Sequence, residues 1–513
     1  MRVARLVVAL TAFAAFAACG GKPGKSICDN TVPPPAACMS QCDPSPAAPN
    51  SCPSGYHCAP DGFCDALCTP GGGECGDGYV CTTDGRCKGE GECEGLECNV
   101  TACMSKGKPE TSISGTVYAP NGTLPLYGIT VYIPNAPVGP FPDGSQCSRC
   151  SDDLPGSPLA RATTDENGRF TITGNVPSGT NVPLIITSGK WRRQITIPSV
   201  GECVDTAAAP ADTRLPKDKT EGDIPKIALT TGDADSLECL IRKLGIADSE
   251  LTSAGGSGRV HYYRGDGVDA FATGWAGGAT QLTSAGTLWN SAANLKPYDI
   301  VILSCEGSQQ GTSSMKSQTD LNALKEYADL GGRVFLSHWH NIWIGGGFQA
   351  DFNNPDPVIA DWRPIAQWSD SPGTLANGTI DRIDENSNPK GTAFANWMAS
   401  AGVMGSTTRG EIPVNDSKVT AIGLDMAKAE RWTYVNRPAQ EPQNFQFSTP
   451  VTVPLGNRCG KVVFSDMHVS GGPNLQNGNK FPNSCQGGTA LTPQEKALAF
   501  MIFDLSSCVG VLL

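Results

Sequence analysis

Thirteen of the chain's 22 cysteines fall between Cys28 and Cys103, in a stretch with few large apolar side chains. A segment of that composition cannot bury enough apolar surface to hold itself folded, so covalent cross-links must hold it. The stretch also repeats. Cys52-Pro-Ser-Gly-Tyr-His-Cys58-Ala-Pro-Asp-Gly-Phe-Cys64 is matched by Cys75-Gly-Asp-Gly-Tyr-Val-Cys81-Thr-Thr-Asp-Gly-Arg-Cys87, both reading C-x-x-G-Y-x-C-x-x-D-G-x-C. Asp-Gly is a tight-turn signal, which predicts one small hairpin per copy. Disulfides among Cys52, Cys58, Cys64, Cys68, Cys75, Cys81, Cys87 and Cys93 would clamp these hairpins. Paired C-x-x-C knuckles are missing from the stretch, so disulfides suit it better than zinc. So many cysteines imply an oxidising compartment. A net charge of −12 argues against nucleic acid as a partner.

Export is also written at the start. Arg2 and Arg5 precede an apolar run from Leu6 to Ala18, too short to span a bilayer as a helix but suited to a signal peptide. The run ends Phe16-Ala17-Ala18-Cys19-Gly20, which resembles a bacterial lipobox. That resemblance implies cleavage after Ala18 and a diacylglycerol on Cys19, with residues 19–27 as a lipidated tether. Position 20 is Gly, with no Asp to favour inner-membrane retention, so the outer membrane or cell surface is the expected location. The Cys-rich repeats, residues 28–105, resemble the small EGF-like or dickkopf-like modules of exported proteins.

Residues 111–203 read as an all-β sandwich, with alternating β-branched runs at Ser112–Tyr118, Ile129–Ile133, Ala160–Thr173, Val182–Ile186 and Arg193–Ile197. The runs I-S-G-T-V-Y, G-I-T-V-Y-I and T-T-D-E-N-G-R-F-T-I resemble the carboxypeptidase regulatory-like (transthyretin-like) domain. That family has no protease chemistry, and the resemblance makes Asp165–Gly168 a structural turn between strands. An insert carries Cys147-x-x-Cys150, and Cys203 follows the last strand. No βαβ pattern surrounds the pair, so a structural disulfide is expected rather than a redox motif.

Residues 204–222, rich in Ala, Pro, Asp and Lys, read as a linker, and the pattern then changes. Apolar strands at Lys226–Thr231, Gly258–Tyr263, Asp299–Ser304, Arg333–His338 and Gly460–His468 alternate with helices at Ser236–Leu244, Thr319–Leu330 and Thr492–Leu505. This alternation predicts an α/β domain, residues 223–513, with a flavodoxin-like parallel sheet covered on both faces. Thr492-Pro493-Gln494-Glu495 carries a capping signature.

Two stretches of this domain resemble the class I glutamine amidotransferase-like superfold, closest to its ThuA-like branch. Tyr298–Gly307 is similar to the strand leading into the family's oxyanion loop. The helix, Gly331-Gly332 turn and strand ending Leu336-Ser337-His338-Trp339-His340 take the place of the nucleophile elbow. Phe464-Ser465-Asp466-Met467-His468 resembles the strand that supplies the family's catalytic His. The resemblance places His338 where active amidotransferases carry Cys, and Ser470 where they carry an acid, so amidotransferase activity is not expected. Cys305, His338 and His468 remain candidates for catalysis.

Strand ends of open α/β sheets are the usual place for ligands, and three of the chain's five His lie there. With i and i+2 on one face of a strand, His338 pairs with His340 and Asp466 with His468. These four residues suit zinc or another divalent metal; they equally suit a hydrogen-bonded network that pins the loops. Parity suggests pairing Cys459 with Cys485 and Cys239 with Cys508, leaving Cys305 free. Eight of nine Trp fall in this domain, and exposed Trp beside Asn and Asp would suit a sugar.

The whole order resembles Cys-rich lipoproteins of myxobacteria and related groups. That resemblance brings no activity with it; the arrangement reads as a non-catalytic, lipid-anchored envelope protein whose distal α/β domain binds a ligand or partner, a glycan or peptide. The alternatives are a metal-dependent hydrolase-like enzyme and a disulfide-held adhesion or scaffold protein.

Overall fold

The computed structural model describes residues 95–509 apart from 151–153, 276–280, 311–314, 348–357, 470–479, 486–487 and 489. Before residue 95 it describes Gln41, 56–58, 63–66, 79–81, 87–89 and Cys93. The expected signal peptide, Cys19, Cys52, Cys68, Cys75 and Ser470 lie outside the described residues. The chain separates into two compact units, Met1–Cys93 and Glu94–Leu513.

In the first unit each copy of the repeat is an antiparallel hairpin. Tyr56–Cys58 pairs with Cys64–Ala66, and Tyr79–Cys81 pairs with Cys87–Gly89. Cys58 sits opposite Cys64 and Cys81 opposite Cys87, which puts each Asp-Gly within the connection, as the repeat predicts. Cys64, Cys93 and Cys98 are in disulfides.

The second unit begins with seven strands in two sheets. They are β1 (Ser112–Thr116), β2 (Thr130–Pro134), β3 (Pro158–Thr163), β4 (Arg169–Ile172), β5 (Gly179–Ser188), β6 (Trp191–Val200) and β7 (Asp205–Ala207). One sheet runs β6-β5-β2-β3 and the other β7-β1-β4. Ile113, Val131, Phe170, Ile172, Leu184 and Ile186 from both sheets share one core. Asp165 Oδ1 accepts the amides of Asn167 and Arg169, and Gly168 takes φ +73° where a Cβ would lie 2.8 Å from Pro125. Residues 204–222 are not a free linker. β7 adds to β1 in parallel, and Thr213 and Leu215 beyond it are fully buried.

The rest of the unit is built on an 11-stranded sheet. Its strands include β8 (Ile227–Thr230), β9 (Leu251–Ser253), β10 (Val260–Arg264), β11 (Ile300–Leu303), β12 (Arg333–Ser337), β13 (Thr379–Ile383), β14 (Glu411–Val414), β15 (Glu430–Val435), β16 (Pro442–Thr449) and β17 (Gly460–Ser465). These run in the order β9-β10-β8-β11-β12-β17-β16-β15-β13-β14. From β9 to β17 every pairing is parallel, and from β17 to β14 every pairing is antiparallel. The all-parallel expectation is therefore corrected to a mixed sheet. Alternation sends Ile300, Ile302 and Phe335 to one face and Val301, Leu303, Val334 and Leu336 to the other. Helices α1 (Leu237–Lys243) and α3 (Pro493–Ser506) pack on the first face and α2 (Gln318–Asp329) on the second.

The disulfides depart from the pairing suggested by parity. Cys239 joins Cys485, whereas Cys459 joins Cys147 and Cys508 joins Cys150, and Cys103 joins Cys203. Cys147 and Cys150 thus do not pair with each other. They bind the sandwich insert to the last part of the chain. Cys305 is the free cysteine among the described residues.

Candidate functional site

β11, β12 and β17 lie side by side, and their C-terminal ends carry Cys305, His338 and His468. Each strand is buried along its whole length, so its register is set by packing and its end is held rigidly. Cys305 is 0% exposed, His338 3% and His468 5%. Cys305 Sγ lies 3.4 Å from His338 Nδ1, and the two imidazole centroids are 4.9 Å apart. One donor atom from each of the three residues lies within 4.8 Å of the others. Nε2 of both His338 and His468 is buried without a hydrogen-bond partner among the described residues. Buried imidazoles ordinarily satisfy both nitrogens, so these two Nε2 atoms are open to a water or an ion.

The surroundings fix the three positions. β12 ends at Ser337, and His338 turns the chain into a short 3-10 segment with φ +36°, a backbone conformation costly for a residue with a Cβ. The Cys305 carbonyl accepts the Ala234 amide at 3.1 Å, and a Cβ on Gly232 would lie 2.2 Å from that oxygen. Asp235, fully buried, accepts from Ser337 Oγ at 2.5 Å and from the Val469 amide at 2.9 Å. One carboxylate thus grips the residue before His338 and the residue after His468. Nothing in the sequence pattern marked Asp235; its place after β8, at the same sheet end, was the available signal.

Two of the four expected metal ligands do not join. The strand ends one residue before His338, so the i, i+2 rule does not hold between His338 and His340. His340 instead donates from Nε2 to the Ser304 carbonyl at 2.8 Å and accepts the Trp343 indole N–H on Nδ1 at 2.9 Å. Asp466 turns toward Thr420, accepting its amide at 2.8 Å and its hydroxyl at 2.7 Å. The thiol of Cys305 takes their place. The sugar-platform reading of the tryptophans is also corrected: Trp289, Trp343, Trp362, Trp368, Trp397 and Trp432 are buried, while Trp275 and Trp339 are half-buried.

Burial governs the protonation of the cluster. It pushes the Cys305 thiol up to about 12, the His468 imidazole down to about 3 with help from the Lys418 ammonium, and His338 and His340 well below their usual value. Burial likewise raises Asp235 and Asp466 to about 7. At neutral pH the thiol is protonated and the imidazoles neutral, so the thiolate–imidazolium pair of a cysteine hydrolase is not formed. As nucleophile, Cys305 is neither ionised nor exposed. No protein-family model matches the chain, and no curated protein sequence matches it.

Proposed function

We propose that this chain is an exported, lipid-anchored envelope protein whose α/β region carries one transition-metal centre made by Cys305, His338 and His468. The observation that carries the reading is the meeting of one sulfur and two imidazoles, buried at three adjacent strand ends, with both Nε2 atoms unpartnered. Thiolate and neutral imidazole are the donors that zinc and copper prefer over oxygen ligands. The described disulfides support an oxidising compartment, and no described helix is long and apolar enough to cross a membrane. Attachment through Cys19, as the lipobox resemblance implies, completes this reading.

The chain-order pattern of β10-β8-β11-β12-β17, second-first-third-fourth-fifth among these five parallel strands, supports the amidotransferase-like assignment. The two-sheet region before it supports the carboxypeptidase regulatory-like one. Hydrolysis at the metal is disfavoured. A metal hydrolase needs a free base beside its water, and Asp235, Asp466 and His340 are each committed to other bonds.

Elemental analysis of the full chain after dialysis against zinc or cupric chloride, and then buffer, tests the reading. About one equivalent in the wild type, lost in His338→Ala and His468→Ala variants of unchanged circular dichroism, is expected. A folded wild type that retains no metal overturns it.

A further inference from the structure

We infer that the metal this centre is built for is copper, bound by one thiolate and two imidazoles. The inference rests on the metal-centre reading above and adds the identity of the ion. Four observations lead to it.

The donor set is the first. Cys305, His338 and His468 supply sulfur and nitrogen alone, because the neighbouring carboxylates of Asp235 and Asp466 are turned to other partners. At such donors divalent copper stands above zinc in the order of affinities, and two His with one Cys in a trigonal array is the set of mononuclear copper–thiolate sites. The second is the sulfur's environment. Cys305 is 0% exposed with His338 Nδ1 3.4 Å from Sγ, and the apolar, hydrogen-bonding shell around a cysteine sulfur tunes copper–thiolate centres.

Rigidity is the third. Asp235 ties the segments flanking both histidines, and the close packing of Gly232 on the Cys305 carbonyl leaves that segment little room to shift. A site whose ligands cannot rearrange imposes its geometry on the ion instead of adapting to it. The fourth is burial. All three ligands are nearly or fully excluded from solvent, and His338 lies 4.7 Å from the half-buried Trp339 ring, tilted 43° to it. On binding, the Cys305 S–H bond breaks, its proton leaves to solvent, and the sulfur's electron pair forms the bond to copper; the ion keeps its oxidation state.

The test uses the full chain with its disulfides intact, titrated with cupric chloride alone and then challenged with equimolar zinc chloride. The expected result is one equivalent of copper and an intense visible sulfur-to-copper charge-transfer band that zinc does not bleach. Cys305→Ser should abolish the band, and Asp235→Ala, which touches no metal, should weaken copper binding about 10–100-fold at unchanged circular dichroism. If Cys305→Ser does not fold, the wild-type band still decides, because Cys305 is the free thiol among the described residues. Displacement of copper by zinc overturns the choice of copper and leaves the metal-centre reading standing, whereas bound copper without the band removes Cys305 from the ligands and overturns both. A folded protein that takes up neither ion overturns both.

Discussion

Glu238 lies in α1 with 0% exposure, and neither carboxylate oxygen bonds another described residue. Burial, with its own amide and Asp235 as lesser influences, raises it to about 8. The sign of its effect on stability follows. With the folded value above the unfolded one of about 4.3, the native state holds a proton that the unfolded state releases. Its contribution is full below about pH 4 and is lost as pH rises toward 8. Glu238→Gln removes that loss. The variant should therefore exceed the wild type in stability at pH 8, by on the order of 5 kcal/mol, and match it closely near pH 4. Urea unfolding at the two pH values checks this, and an equal difference at both would refute the assignment. At this same scale the candidate site was half legible. His338 and His468 could be read because apolar strands end on them. His340 and Asp466 were misread because the last turn of each strand end depends on where the ladder stops, which no periodicity records. Cys305 was read as the unpaired cysteine but not as a ligand, because its meeting with His338 is made by the pairing of β11 with β12.

Among elements, α3 was announced by both an apolar run and a cap, and it was read correctly. Thr492 accepts the Glu495 amide while Glu495 reaches back to the Thr492 amide, with Pro493 at the first helical position. Glu495 also bonds the Lys243 ammonium at 2.7 Å, which fastens the start of α3 to the end of α1. Thr492→Ala should cost about 1 kcal/mol in chemical denaturation, and Thr492→Ser should recover most of it. The antiparallel half of the sheet went unread for a physical reason. β16 reads Pro-Gln-Asn-Phe-Gln-Phe-Ser-Thr, and its Gln443, Asn444 and Gln446 are buried. Asn444 donates to Thr433 on β15, and Gln443 bonds Ser417 and the Lys418 carbonyl. In β16 only Phe445 and Phe447 alternate, too short an apolar run to mark a strand, because the positions between them bury amides bonded to hydroxyls and carbonyls.

For the molecule as a whole, the sandwich and the α/β region form one body, and their boundary is invisible to energetics. Tyr127 stacks on Phe500 at 5.9 Å, Trp191 meets Phe503 at 5.9 Å, and the Trp397 indole donates to the Pro125 carbonyl at 2.8 Å. Lys190 pairs with Asp299 at 2.5 Å across the same seam. Over this seam Cys147–Cys459 and Cys150–Cys508 close sequence separations of 312 and 358 residues. Parity reasoning went astray here because it assumed that cysteines pair within the domain that carries them, and connectivity cannot be deduced from sequence. Residues 223–513 alone would leave Cys459 and Cys508 without partners and bare the apolar faces of Phe500 and Phe503. Each bridge should contribute roughly 2–5 kcal/mol by restricting the unfolded chain. Cys147→Ser with Cys459→Ser, and separately Cys150→Ser with Cys508→Ser, should lower the thermal midpoint, and removing both pairs should lower it further. Non-reducing peptide mapping of the wild type is the direct check. Peptides joining Cys147 to Cys459 and Cys150 to Cys508 are expected, whereas a Cys459–Cys485 peptide would separate the two regions and undo the single-body description.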